Sequence, residues 1–207
     1  MALPRSQKVF VVIFRFRDIL VSFVLLALLV LPFQIIILLL AFSQERVFFF
    51  QERTGWKERP FRLIKFSTLR DISGNEKEAD EQKKRLTPIG KFLRKFSLDE
   101  LPQLWNVLKG DMSLVGPRPL IHTYLPLYSP VQRRRFLLKP GITGWAQVNG
   151  RNALTFTERF ELDQKYLENR TFWWDCKIIW MTFTSVFSGK NIFSDEKTTS
   201  PEFDGTN

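Results

Sequence analysis

Two adjacent carboxylates, Asp99 and Glu100, lie in the stretch "RKFSLDELPQLW" of an otherwise basic chain. The 207 residues include 31 Lys and Arg against 21 Asp and Glu, a formal net charge of +10. One cysteine, Cys176, and one histidine, His122, rule out an intrachain disulfide and give no support to a Cys/His zinc site. Any chemistry must therefore rest on carboxylates and cations, with or without a hard metal ion.

The two carboxylates have a structural interpretation as well as a catalytic one. The run from Ser97 to Glu100 fits a capping box. A helix that begins with Asp99 as N-cap instead places Pro102 in the first turn, where proline is tolerated. In either register the helix dipole would favour the negative charge and keep Asp99 ionised. These residues alone do not distinguish a capping role from a catalytic one.

Basic residues on stiff or turn-rich backbone surround this pair in the sequence. Arg94 precedes Asp99, Arg118 lies between two prolines, Arg151 follows a glycine-containing turn and Lys65 ends a strand-like run. Cations held in fixed positions bind phosphate better than freely solvated ones do. The joint pattern favours carboxylate chemistry on a phosphorylated substrate.

An uncharged apolar segment covers residues 19–42, "ILVSFVLLALLVLPFQIIILLLAF". As a straight helix it would be about 36 Å long, more than the hydrocarbon core of a bilayer. Pro32 predicts a break within it. A kinked spanning helix and a re-entrant helix broken at Pro32 are both compatible with the segment. Basic residues on both flanks favour the re-entrant form, because the positive-inside rule then holds for both ends.

The rest of the chain predicts a helix-rich α+β fold with short strands. Strands are expected at residues 47–50 and 61–66 around a turn at Gly55, and helices at 89–95, 101–108, 155–169 and 172–187. Residues 71–88 predict a surface loop, 139–152 a loop or a pair of turns, and the tail from 188 a frayed end. The last helix carries Trp173, Trp174 and Trp180, and is either a core helix or an amphipathic helix at the membrane interface.

Several long motifs resemble the bacterial sugar transferase family. They are "FFFQER.G", "KFSTLRD", "LTPIGKFLRKFSLDELPQLWNVLKGDMSLVGPRPL" and "KPGITGWAQVNGRN", and the likeness runs from about Arg15 to Phe187. The chain resembles the short form of the family, a monotopic polyprenyl-phosphate sugar-1-phosphate transferase. Its predicted organisation is a re-entrant membrane segment at 1–42, a catalytic core at 43–187 and a polar tail at 188–207.

The resemblance implies a reaction and a set of site residues. A sugar 1-phosphate would pass from a UDP-sugar to polyprenyl phosphate, with release of uridine monophosphate. Asp99 would attack phosphorus and form a covalent phosphosugar intermediate, and Glu100 would hold Mg²⁺. The positions of Lys65, Arg94, Arg118 and Arg151 match family positions expected to contact phosphate or nucleotide, and Pro32 matches the membrane break. The expected location is the bacterial inner membrane, among its lipids, with the core facing the cytoplasm.

The sequence departs from the family pattern in three places. Leu31 stands where many members have serine before the membrane proline, "ERVFFF" replaces "GPVFF", and "KFSTL" replaces "KFRTM". These changes touch the membrane break and phosphate contacts and leave the Asp-Glu pair intact. A basic membrane scaffold without catalysis is the alternative function. Nucleic acid is not an expected partner, because the basic residues are dispersed among apolar stretches. The sequence does not specify the sugar, the glycan pathway or the oligomeric state.

Overall fold

The computed structural model describes residues 5–43, 46–70, 85–150, 153–188 and 202–205. Its α-helices are α1 Arg5–Leu28, α2 Val30–Ser43, α3 Pro88–Lys95, α4 Gln103–Lys109, α5 Trp145–Val148, α6 Phe156–Asn169 and α7 Phe172–Ser188. Its strands are β1 Phe48–Thr54, β2 Pro60–Phe66, β3 Ser113–Val115 and β4 Gly141–Thr143. Short 3₁₀ helices cover Trp56–Glu58, Leu98–Glu100, His122–Leu127 and Gln132–Leu137. The predicted helix-rich α+β fold with short strands is confirmed.

The apolar segment forms two helices that meet at Leu29. Its two arms, Val12–Leu28 and Val30–Ser43, are bent by 62°. Within the described residues no single helix has the length and apolar character to cross a membrane, whereas this bent pair does by length and composition. The break was predicted at Pro32 but lies before it, and Pro32 is in the first turn of α2. The proline ring clashes with the carbonyl four residues earlier, so the first helix ends at Leu28.

Two separate two-stranded sheets organise the core. Strands β1 and β2 pair antiparallel, with Phe48 opposite Phe66 and Thr54 opposite Pro60, as the predicted hairpin requires. Strands β3 and β4 pair in parallel. The second pairing corrects the prediction that 139–152 is only loop, since this stretch contains β4 and α5. A three-residue strand paired with a distant segment leaves no periodic pattern in the sequence.

Helix α1 packs against the core instead of standing apart from it. It runs along α4 and β3, and Arg15 donates hydrogen bonds to the carbonyls of Val107 and Leu108 at the end of α4. The main buried cluster contains Leu63, Leu104, Val107, Met112, Leu114, Val115, Leu138, Tyr166, Leu167 and Ile178. A smaller cluster of Leu40, Phe66 and Leu93 joins α2, β2 and α3. The bent pair is therefore fixed relative to the rest of the molecule.

A buried ion-pair cluster also ties α1 to the C-terminal helices. We call it the anchor cluster, and its members are Arg17, Asp18, Tyr166, Arg170 and Asp175. Arg17 contacts Asp18 and Asp175 at 2.7 Å each, and Arg170 reaches Asp175 at 3.3 Å. Tyr166 donates its hydroxyl to the other oxygen of Asp175. Each carboxylate in the cluster therefore has several donors, as buried charges require.

The last two helices begin and end close to their predicted bounds. Thr155 caps α6 through a full capping box with Glu158. Helix α7 has a buried face and an exposed aromatic face, since Ile178 and Asp175 are fully buried while Trp173 is 78% and Trp180 is 70% exposed. Its position at a membrane interface stays a prediction. The prediction of a frayed tail is wrong at residues 202–205, because Phe203 is 2% exposed in an aromatic cluster. Most of the predicted 71–88 loop, residues 71–84, lies outside the described residues.

Candidate active site

Arg94 reaches the site because α3 is docked against the end of β2. Thr87 caps α3 by accepting a hydrogen bond from the backbone N–H of Gly90 at 2.9 Å. A Cβ on Gly90 would lie 2.2 Å from the carbonyl oxygen of Thr68, so only glycine permits this approach. At the other end of α3 the Arg94 guanidinium donates to the Thr68 hydroxyl at 2.9 Å. Arg94 is thereby held beside the strand that carries Lys65.

A left-handed residue turns the chain from α3 towards the carboxylates. Ser97 has φ 53°, makes no side-chain capping bond, and precedes the 3₁₀ turn Leu98–Glu100. Helix α4 starts only at Gln103, with Pro102 as its N-cap. Both predicted helix starts are therefore wrong, because the left-handed Ser97 cannot complete a capping box and the carboxylates lie in the turn before the helix. In this turn Glu100 contacts Lys65 and Arg118, and no hydrogen bond from a backbone N–H to either carboxylate occurs among the described residues.

The backbone around Arg118 is fixed because its carbonyl groups accept hydrogen bonds from other parts of the chain. In "PRPL" the carbonyl of Pro117 accepts from Gly141, that of Arg118 from Arg135 at 2.7 Å and that of Leu120 from Thr54. A Cβ on Gly141 would lie 2.1 Å from the amide nitrogen of Gly116, so the backbones at Gly116 and Gly141 can pack this closely only because residue 141 has no side chain. The arginine between two prolines thus sits on rigid backbone, as its sequence context suggested.

Glu100 is the electrostatic centre of the group. Its Oε1 lies 2.6 Å from the Lys65 ammonium and 3.1 Å from an Arg118 guanidinium nitrogen. Burial alone would raise the pKa of Glu100, but the charges and hydrogen bonds of Lys65 and Arg118 outweigh it and hold the pKa well below its usual value. Glu100 is therefore ionised across the physiological range.

Asp99 has the opposite environment although it is the next residue. Burial raises its pKa first and the negative charge of Glu100 raises it further, against the lowering effect of Lys65, Arg94 and Arg118. Within the described part of the chain its side chain makes no hydrogen bond or ion pair. The expected stabilisation of the Asp99 anion by a helix dipole stays a prediction. Its charge depends on nearby cations, and its lone pairs are not engaged by described groups.

One large cavity connects these residues. It has a volume of about 1660 Å³, and its lining includes Lys65, Arg94, Asp99, Glu100 and Arg118. The lining also includes apolar side chains of α1, of the Leu29 break and of α7: Val21, Leu25, Leu29, Ile179, Phe183 and Val186. The structure thus brings together the predicted catalytic and phosphate-binding residues that it describes. Arg151, the remaining predicted ligand, lies outside the described residues.

Seven charged residues of the cavity wall were not predicted as site residues: Arg46, Arg53, Arg62, Arg85, Arg135, Arg159 and Asp163. Arg53 donates to the carbonyl of Pro119 at 3.3 Å and to the side chain of Gln51. Burial, and then the charge of Arg118, lower its pKa to about 10, so it remains a cation at neutral pH. Its position in the quoted "FFFQER.G" was the available signal.

The deeper pair, Arg135 and Asp163, is buried on both sides at an N–O distance of 2.8 Å. Burial raises the pKa of Asp163 to about 6 in spite of the Arg135 charge. Arg135 is one member of the exposed-looking run at 133–135, and nothing in that run distinguishes the buried arginine from its neighbours. Its role could be found only from the fold.

The donor set near Asp99 suits a hard cation that is shared with phosphate. No group of three or more His, Cys, Asp or Glu side chains able to hold a metal occurs among the described residues. Two adjacent carboxylates are nevertheless present, and the contacts of Glu100 with cations converge on Oε1. Mg²⁺ is commonly held by one or two carboxylates plus water and substrate phosphate oxygens. The residues fit that mode of binding.

Comparison with known proteins defines the class of this chain. A family model described as bacterial sugar transferase matches residues 9–189. The chain therefore belongs to the bacterial sugar transferase family.

Individual relatives agree with this membership. "Uncharacterized sugar transferase EpsL" of Bacillus subtilis is 49% identical over 160 residues, which cover 77% of this chain and 79% of that protein. "Galactosyl transferase CpsE" of Streptococcus agalactiae is 43% identical over 68% of this chain. "UDP-glucose:undecaprenyl-phosphate glucose-1-phosphate transferase" of Escherichia coli is 39% identical over 70% of this chain. The matched region spans only 34% and 33% of the latter two proteins.

Proposed function

We propose that this protein transfers a sugar 1-phosphate from a UDP-sugar to polyprenyl phosphate and releases uridine monophosphate. The observation that carries the proposal is a carboxylate, Asp99, that makes no hydrogen bond or ion pair among the described residues and lies near cations in a cavity lined by both charged and apolar side chains. Relatives are named for undecaprenyl phosphate as the acceptor and for UDP-glucose or UDP-N-acetylgalactosamine as the donor. Because those donors differ, the proposal names the UDP-sugar class and no single sugar.

The contrast between the two carboxylates supports a division of roles. Glu100 already accepts from Lys65 and Arg118 and is held as an anion. Asp99 makes no such bond among the described residues, and burial and Glu100 raise its pKa. An ionised carboxylate with free lone pairs and a raised pKa is the better nucleophile of the two. We assign attack to Asp99 and the organisation of the cations to Glu100.

The first step exchanges one phosphorus–oxygen bond for another. An oxygen of ionised Asp99 attacks the phosphorus that carries the sugar, and the bond from that phosphorus to the oxygen bridging the two phosphates breaks. Uridine monophosphate leaves with the electron pair, and the sugar phosphate stays on Asp99. Lys65, Arg94 and Arg118 neutralise the phosphate oxygens during the transfer, which is the main task of a phosphoryl-transfer site.

The second step restores the free carboxylate. A phosphate oxygen of the acceptor attacks the same phosphorus, the bond to Asp99 breaks, and a polyprenyl diphosphate sugar is formed. One nucleophilic side chain used twice predicts ping-pong kinetics. When bound at Glu100, Mg²⁺ would neutralise charge on the donor diphosphate.

The apolar surface supports a membrane position for this chemistry. Residues exposed on the bent pair include Val12, Phe16, Phe23, Leu28, Leu31, Ile35, Leu38 and Phe42, and Trp173, Trp180 and Phe183 extend the apolar surface on α7. Each arm alone is shorter than the ~30 Å hydrocarbon core at ~1.5 Å per residue. We propose that the pair is re-entrant in the bacterial inner membrane and that the carboxylate site faces the cytoplasm.

The direct test measures release of uridine monophosphate by the purified full chain with a UDP-sugar, polyprenyl phosphate and Mg²⁺. Asp99→Asn is expected to lower the rate at least about a thousandfold, because the nucleophile is lost. Without acceptor, the wild-type protein should retain label from a UDP-sugar that is radioactive in the sugar, and Asp99→Asn should retain none. Glu168→Gln, which changes a carboxylate exposed on α6, is the matched control and should behave as wild type.

Full activity of Asp99→Asn would refute the nucleophile assignment. Absence of magnesium-dependent binding of a uridine nucleotide would refute the transferase and leave the basic membrane scaffold as the better hypothesis.

A further inference from the structure

The C-terminal segment 202–205 returns to the core after the family domain has ended. The family model stops at residue 189, yet Phe203 is 2% exposed. Its ring centroid lies 5.1–5.8 Å from the rings of Tyr124, Tyr128, Phe156 and Phe160. A residue outside the matched domain thus fills a site made entirely by that domain.

We call this site the aromatic box, and it consists of Tyr124, Tyr128, Phe136, Phe156 and Phe160. The 3₁₀ helices His122–Leu127 and Gln132–Leu137, the turn at Tyr128 and helix α6 contribute its walls. Edge-to-face and tilted ring pairs hold the box together, including Tyr128 with Phe136 at 5.1 Å. With Phe203 removed, the box would keep an unfilled volume the size of a phenyl ring, and its walls would move to fill it.

Arg135 connects the aromatic box to the carboxylate site. Its guanidinium lies 5.0 Å from the ring centre of Phe160 and donates to the Tyr128 hydroxyl at 3.2 Å. The same guanidinium donates to the backbone carbonyl of Arg118 at 2.7 Å. Arg118 in turn contacts Glu100 at 3.1 Å. Movement of the box walls would therefore displace Arg135 and, through it, Arg118, which contacts Glu100.

We propose that the aromatic box is a docking site for an aromatic residue of a short acidic peptide, and that its occupant is this chain's own C-terminal segment. Phe203 is a positioning residue. It fixes the walls of the aromatic box, and these walls fix the position of Arg135. Arg135 in turn fixes the backbone of Arg118, which binds the diphosphate of the donor. Glu202 and Asp204 flank Phe203 and give the segment a charge opposite to that of the net basic chain. The catalytic readout of this inference rests on the proposed function, whereas peptide binding does not.

The kinetic test compares two buried phenylalanines in the full-length chain. Phe203→Ala is expected to raise the KM for the UDP-sugar about tenfold, because misplacing a substrate-positioning group is costly even without loss of the group. Phe14→Ala is the matched control, since Phe14 is 4% exposed and lies against the guanidinium of Arg170 at 3.9 Å, in the anchor cluster. It should lower the melting temperature and leave that KM unchanged. Phe203→Trp should restore most of the donor affinity.

The binding test uses a fluorescein-labelled peptide with the sequence of residues 198–207. The peptide should bind the Phe203→Ala chain and return its KM towards the wild-type value, and the same peptide with alanine for phenylalanine should do neither. An unchanged KM in Phe203→Ala, or an equal rise in Phe14→Ala, would overturn the positioning role. Failure of the labelled peptide to bind Phe203→Ala would overturn the docking site, even where the transferase assay works as proposed.

Discussion

Two clusters of arginine and carboxylate groups occur in this molecule, the anchor cluster and the carboxylate site, and they differ in how their charges are balanced. In the anchor cluster Asp175 is fully buried and receives Arg17, Arg170 and the Tyr166 hydroxyl. In the carboxylate site Glu100 is paired, whereas Asp99 has no hydrogen bond among the described residues. Both clusters have similar residue types, so residue type alone does not distinguish a structural cluster from a reactive one.

The difference shows what marks a reactive site. A buried carboxylate with several donors is stabilised as an anion and has few free lone pairs, which suits a structural link. A carboxylate that lies near several cations and accepts no hydrogen bond can attack phosphorus, while those cations bind the phosphate oxygens. The anchor cluster thus joins helices, and the carboxylate site is available to substrate.

The largest expected effect on stability belongs to Asp175→Asn. Removing the shared carboxylate takes the Asp175 anion away from the buried Arg170 and leaves Arg17 with Asp18, which should cost about 3–5 kcal/mol of the unfolding free energy. Thermal unfolding of the purified chain in detergent measures this loss. Asp99→Asn is the paired comparison and should leave the melting temperature unchanged or slightly higher, because it removes a carboxylate whose burial disfavours its charge. Equal destabilisation by both changes would remove the distinction between the clusters.

A smaller effect is expected from Glu100→Gln, which breaks two ion pairs at once. Lys65 and Arg118 lose their anion, so stability at neutral pH should fall by about 1–2 kcal/mol and activity by about a hundredfold. Because the pKa of Glu100 is lowered in the fold, its contribution is present above the usual value of 4.5 and is lost as pH falls below it. The stability gap between the wild type and this variant should therefore narrow in acid.

A matched ion pair provides the control for that comparison. Arg134 and Glu168 are also 3.1 Å apart, but the Glu168 side chain is 54% exposed. Glu168→Gln should change the unfolding free energy by less than about 0.5 kcal/mol and leave the rate unaltered. If Glu100→Gln and Glu168→Gln lost the same unfolding free energy, the N–O distance of an ion pair would matter more for stability than its burial.

The smallest predicted effect is a shift in a pH profile. Attack requires ionised Asp99, and burial and Glu100 raise the Asp99 pKa above its usual 3.8, so the acid limb of kcat/KM for the UDP-sugar should lie above that value. Glu100→Gln removes one of the two causes and should move the limb of its residual activity to lower pH. Initial rates from about pH 4 to pH 8 test this. An upward shift would show that Glu100 does not repel the Asp99 charge.

Local patterns predicted much of the fold and the central pair of the site. The hairpin β1–β2, the helices α3, α6 and α7 and the break near Pro32 all follow from periodicity, turn residues and proline, which act over a few residues. The β3–β4 pairing and the buried position of Phe203 could not be found in this way. Each depends on contacts between residues far apart in the chain, and short segments carry no periodic sign of a distant partner.

By itself the sequence determined which groups are available: an Asp-Glu pair, a surplus of cations, few soft ligands and an apolar segment with a break near a proline. Only the tertiary structure decided which carboxylate is paired and which is left for chemistry. It placed Lys65 and Arg118 on Glu100, left Asp99 without a donor among the described residues, and drew Arg53 and Arg135 into the same cavity wall. The physical reason is that charge type is a property of the residue, whereas burial and pairing depend on the neighbours that folding brings together.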